Sequence, residues 1–241
     1  MVGIRRAIAL LFLGFYVTQF AMTAGLGPDE TFAAYLGLSL CYGLAFVGLA
    51  AEWFWARWFA IGVGNFGSLI LLVLFKTGME PLIAFFGFTH LAIWVMLLGE
   101  GMAAKYEHSE VTAERWNFQE ESLILMRRAV KSAGTTLPFL ILYALAPQPE
   151  ALQLGTLALG VGGLWGLLRG RTWGVLAMGG AGMLAMADGL GWLGAPVQSI
   201  LFLDPHGSAA IYGPVAGLMA GLMLLVPLFF AAPMLRFVRA R

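Results

Sequence analysis

The side chains able to do chemistry are few, and most of them stand inside long apolar runs. His90 follows Thr89 within the run that begins at Pro81. An imidazole titrates near neutrality, so it can pass a proton or contact a quinone; it can equally hydrogen-bond a neighbouring helix and do nothing else. A haem held by two histidines needs a second one facing the first. The other two, His108 and His206, fall in polar stretches, so haem is not expected. Gln19 lies in the first apolar run, Asn65 and Ser68 in the third, and Asp188 in the outer part of the seventh. Polar groups are expensive inside a bilayer, which makes Asn65, His90 and Asp188 the candidates for a polar path. Glu52 and Glu100 stand at the ends of apolar runs, where a membrane enzyme would keep boundary acids.

Asp188, Asp204 and His206 would together offer two carboxylates and an imidazole to a divalent metal. Their spacing matches no familiar metal motif, and Asp204-Pro205-His206-Gly207 reads first as a turn. No lysine is placed within a run to hold retinal, since Lys76 and Lys131 lie at boundaries. The patterns HExxH, GxSxG and GxxxxGK are absent, so hydrolase and nucleotide chemistry lack their usual marks. No cofactor is expected.

These residues need elements to hold them, and composition says of what kind. The chain is 241 residues long, 60% hydrophobic and 11% charged. Soluble domains carry about 25% charged residues. The apolar runs approach the ~20 residues that a helix needs to cross a bilayer core. Eight segments are expected, at about Ile4–Leu26, Thr31–Ala51, Arg57–Phe75, Pro81–Met102, an indistinct start to Pro147, Ala151–Leu168, Trp173–Leu193 and Ala209–Val238. A signal peptide is the weaker reading of the first, because the run from Ile8 to Ala24 is long for one and Met22 spoils the cleavage site. The expected fold is an all-α polytopic transmembrane bundle.

Eight spans put both ends on one side. With Arg5 and Arg6 inside, 13 of the 14 Lys and Arg residues fall inside and only Lys76 outside. That is the bias of cytoplasmic loops, so a cytoplasmic (inner) membrane with both termini cytoplasmic is expected. Outer turns are acidic instead, with Asp29, Glu30, Glu80, Glu150 and Asp204. Trp53, Trp55, Trp58 and Trp173 sit by inner boundaries, as indoles prefer. The lone Cys41 excludes an internal disulfide. Basic residues cluster only beside apolar runs, so nucleic acid is not an expected partner.

Lys105 to Lys131 holds 10 of the 27 charged residues and divides the chain. The expected organisation is a four-helix half over 1–103, a cytoplasmic amphipathic connector over 104–131 and a second four-helix half over 132–241. Ser109 can cap a helix running through Trp116 toward Ala129, lying in the membrane interface or docking a partner through Trp116, Glu120, Arg127 and Arg128. The halves look alike. An offset of 115 residues pairs Gly48 with Gly163, Trp58 with Trp173, Gly64 with Gly179 and Gly67 with Gly182, while an offset of 122 pairs Arg5-Arg6 with Arg127-Arg128. Repeats of four spans would be parallel, related by an axis along the membrane normal.

Glycine is the enriched residue, with 32 in the chain. Small residues let helix backbones approach, which is how helices associate in lipid. The functional expectation is a non-catalytic subunit or scaffold of a membrane protein complex, with a membrane protein or a second copy as partner. A small transporter or channel using Asn65, His90 and Asp188 is the alternative, and a lipid- or quinone-linked enzyme the third.

Overall fold

The structure, a computed structural model, describes residues 2–72, 74, 79–107, 120–143, 150–169, 171–194, 199–204, 207–225 and 228. Nine helices are present among them. They are α1 (Val2–Leu26), α2 (Asp29–Ala50), α3 (Ala56–Ser68), α4 (Pro81–Met96) and α5 (Glu100–Glu107). Then come α6 (Glu120–Tyr143), which begins inside the 104–131 stretch and runs past its end, α7 (Glu150–Leu168), α8 (Thr172–Gly189) and α9 (Gly213–Leu225).

Breaks fall where the backbone chemistry requires them. Gly27-Pro28 ends α1, because proline offers no N–H to continue the ladder and holds the extended conformation (φ −62°, ψ 144°) that opens α2. Pro81 occupies the first turn of α4, where its missing N–H is harmless. Gly99 has φ +94°, a conformation that costs glycine nothing, and there the chain turns by 71° from α4 into α5. Glu52 takes φ +57° without being glycine, so the turn between α2 and α3 is strained there, and backbone bonds from Ala51, Glu52 and Trp53 to the carbonyls of Val47, Leu49 and Gly48 close it.

Helix packing follows two closed rings. In the first, α1 packs on α2, α2 on α3, α3 on α4 and α4 back on α1. In the second, α6 packs on α7, α7 on α8, α8 on α9 and α9 back on α6. The rings meet chiefly where α3 lies along α6, with α2 beside it. Glycines set the closest approaches. Gly62 of α3 faces the backbone of Lys131, Gly134 and Thr135, and Gly134 faces the carbonyl of Phe59. Gly163 and Gly166 of α7 face Gly174 of α8 in the same way.

Two helices are long and apolar enough to cross a membrane, Val2–Leu26 and Thr31–Ala50, and Pro81–Met96 with Glu100–Glu107 makes a third if that bent pair is one span. Eight such helices are not present among the described residues. The 13 residues each of α3 and α9 reach only about 20 Å at 1.5 Å per residue. The end of α9, and the chain just beyond α3, adjoin residues outside the described set. Glycines dilute α8, and charged residues open α6. Large apolar side chains nevertheless face outward on many helices, among them Leu11, Phe15, Leu40, Val161, Leu176 and Met183. Such an outer surface suits lipid and not water.

Two local readings change. Helix α6 runs unbroken through Lys131, Ser132 and Gly134, which the sequence presents as interruptions, because Gly134 is used for contact with Phe59 and not for a turn. The connection after α8 contains an antiparallel hairpin, β1 (Ser199–Asp204) paired with β2 (Gly207–Tyr212), in the register Ile200 to Ile211 and Phe202 to Ala209. The apolar residues of Ile200-Leu201-Phe202-Leu203 favour a strand.

Candidate functional site

His90 is fully buried inside the first ring, and both ring nitrogens have partners. Its Nδ1 is 2.7 Å from the carbonyl of Phe86, one turn back on α4. A carbonyl can only accept, so Nδ1 carries the proton and Nε2 accepts. The donor to Nε2 is the Tyr42 hydroxyl at 2.6 Å, from α2. Above it the Tyr16 hydroxyl donates to Thr89 Oγ1 at 2.5 Å, and Thr89 in turn donates to the carbonyls of Phe85 and Phe86 at 2.7 and 3.0 Å. The rings of Tyr16 and Phe86 lie against the imidazole, with centroids 4.3 and 4.1 Å away. Gly67 covers it from α3. This is an imidazole with every polar atom engaged.

Asn65 faces a different neighbour. Its amide donates to Thr135 Oγ1 at 3.4 Å across the α3–α6 seam, and Thr135 itself reaches the carbonyls of Gly62 and Lys131, both at 3.1 Å. Asp188 is buried on α8, whose neighbours are α7 and α9. The three candidates for a polar path therefore occupy three separate helix contacts: the interior of the first ring, the seam, and the second ring. Among the described residues no group of three or more His, Cys, Asp and Glu side chains is arranged to hold a metal. His206 and the side chain of Asp204 lie outside the described residues, as do Trp116 and the side chain of Glu120.

The densest polar site is one that sequence reasoning missed, on the face where α1, α3 and α6 begin and α2 and α4 end. Glu107, at the end of α5, is wholly buried. Its Oε1 accepts from the Arg57 guanidinium and from Trp58 Nε1 at 2.6 Å. Its Oε2 lies 2.6 Å from Arg127 Nη2, an ion contact without the alignment of a hydrogen bond. Arg127 also stands 6.0 Å from the Trp58 ring centroid. Beside this, Glu52 pairs with Arg6 at 2.5 Å and Lys105 at 2.8 Å. The Lys105 hydrogen bond, helped by Arg6, holds the Glu52 carboxyl below its usual range.

The same arginines close helix ends. Arg57 donates to the carbonyl of Leu97 at 2.8 Å, and Arg5 to those of Val95 at 3.1 Å and Leu98, all at the end of α4. Arg6 donates to the Ala50 carbonyl at 2.7 Å, and the Tyr106 hydroxyl to that of Leu49 at 3.1 Å, at the end of α2. Cations at C-terminal carbonyls satisfy orphan acceptors and complement the helix dipole. Thus two residues read as boundary or docking groups, Glu52 and Arg127, are tied into the fold. Arg128 is exposed and has a partner of its own. The missed residue was Glu107. Its signal was its place beside Tyr106 on the buried side of a helix carrying Met102, inside a stretch whose charge suggested water throughout.

No family model matches this chain, and no curated protein or solved structure matches it significantly. What the fold defines is a helical protein whose N-terminal pair of helices is long and apolar enough to cross a membrane.

Proposed function

We propose that the chain is a polytopic membrane protein of eight spans, two four-helix rings in parallel repeat, serving as a non-catalytic subunit or scaffold of a membrane complex. Its charged face, with Arg5, Arg6 and Glu107, lies toward the cytoplasm, where the excess of arginine and lysine places it.

The observation that carries this reading is the separation of Asn65, His90 and Asp188. A path would bring polar groups to one lumen; here Asn65 and His90 each close a contact between helices. A quinone or lipid enzyme would need an exposed reacting group, and His90 is packed on all sides.

The repeat is supported by matching contacts. Gly64 and Gly67 of α3 face His90 and Trp94 of α4. Gly179 and Gly182, the residues 115 further on, face Leu224 and Leu228 at the end of α9 and just beyond it. His90 on Gly67 thus corresponds to Leu224 on Gly182, so the polar cluster of the first ring has an apolar counterpart in the second.

Gentle extraction into a lipid nanodisc followed by native mass spectrometry tests the function. The expected species is a defined assembly of fixed stoichiometry, of this chain with itself or with another membrane protein. A lone monomer under all mild conditions would remove the reading.

A further inference from the structure

Resting on the two-ring reading, we infer that Glu107 and Arg127 form a clasp that fixes how far the two rings open at their charged face. Helix α5 belongs to the first ring. Lys105 reaches Glu52, Tyr106 reaches the Leu49 carbonyl, and Glu107 is held by Arg57 and Trp58. Its link to the second ring is Arg127 of α6, at 2.6 Å from Glu107 Oε2.

The rest of the seam is of another kind. At mid-helix, Gly62 and Gly134 bring the backbones of α3 and α6 together, and Thr135 bonds the Gly62 carbonyl at 3.1 Å. Further along, Ile141 of α6 packs where a Cβ on Gly37 of α2 would lie 3.2 Å from it. At the charged end, among the described residues, Met126, Ala129 and Val130 of α6 are buried, and the ion contact of Glu107 with Arg127, which also stands over Trp58, joins the two rings. That is the arrangement of a pivot and a latch. Arg57 stands five residues before Gly62, so the latch acts roughly 7–8 Å from the pivot at the α-helical rise.

The latch is well placed to be conditional. Glu107 Oε2 meets Arg127 without hydrogen-bond alignment, while Oε1 is doubly bonded within the first ring. Removing Arg127 therefore takes away this link between the rings without stripping Glu107 of its partners in the first ring. The 71° bend at Gly99 is what lays α5 across the end of the bundle to reach α6.

Spin labels test this in the full chain reconstituted in nanodiscs, with Cys41, the sole cysteine, changed to alanine. One pair, Ala51→Cys with Arg171→Cys, reports across the rings. The other, Gly3→Cys with Ala51→Cys, reports within the first. Arg127→Gln should add a second, longer population to the cross-ring distances and leave the intra-ring distances unchanged. Glu107→Gln should do the same. A cross-ring distribution unmoved by Arg127→Gln, with the intra-ring pair intact, overturns the clasp while leaving the rings standing. An intra-ring distance that disagrees with the structure in the parent chain overturns the ring reading itself, and the clasp with it.

Discussion

The imidazole of His90 lies directly on Gly67, so that a Cβ at position 67 would overlap the ring. No other residue type fits there while His90 keeps its bonds to Tyr42 and Phe86. Gly67→Ala should therefore destabilise the chain by about 1–3 kcal/mol, the usual cost of overpacking a well-filled interior. Gly162→Ala on α7, where a Cβ meets open space, should be neutral or slightly stabilising. Denaturant unfolding in mixed micelles compares the two.

The Tyr42–His90 bond yields a second expectation. Tyr42→Phe or His90→Leu alone strands a buried partner and should cost about 1–3 kcal/mol. Making both changes together should cost less than the sum, because neither polar group is then left unpaired. A double-mutant cycle reads the coupling. Strict additivity would mean that the bond contributes nothing.

Burial makes the Glu107 site more sensitive than the Glu52 pair. Glu107→Ala leaves Arg57, itself buried, without its carboxylate and should cost about 3–5 kcal/mol. Glu52→Ala, at a pair whose carboxylate side chain is 44% exposed, should cost no more than about 1 kcal/mol. Parallel thermal unfolding of the two variants checks the order.

Glu52 also sets a direction with pH. Its folded carboxyl is held below its ordinary value by Lys105 and Arg6, so the unfolded chain binds its proton first as pH falls. That contribution is whole at neutral pH, begins to fade near the ordinary carboxylate value of 4.5 and is lost as pH drops through the lowered folded value. Glu52→Gln should flatten this part of the stability profile below pH 4.5 and leave the neutral limb unchanged in slope. Solvent exposure keeps the effect within about 1 kcal/mol.

Sequence and structure agree where long-range periodicity and composition decide the outcome. The two N-terminal apolar helices are legible from Ile4–Leu26 and Thr31–Ala51, because hydrophobic length alone dictates them. The glycine pairing at Gly64 and Gly67 was visible as a pattern, and its meaning, contact with α4, needed coordinates. Glu107 was illegible because charge density is a property of a stretch, whereas burial depends on the 71° bend at Gly99 that lays one face of α5 on the bundle. The second strand of the hairpin was hidden for the reverse reason: Ala209–Tyr212 reads as the start of the last apolar run until its strand partner is known. Asn65 and His90 stand out by type as polar residues within apolar runs, but type cannot say which neighbour each one faces.

The most direct test of the account is the side of the membrane on which each turn lies. Single cysteines at Gly3, Ala51 and Arg171, and at Leu26 and Trp192, in the Cys41→Ala background, can be labelled in intact cells with a membrane-impermeant thiol reagent. The account predicts labelling at Leu26 and Trp192, and none at Gly3, Ala51 or Arg171 until the cells are opened. Labelling of Gly3 and Arg171 on opposite sides would contradict it.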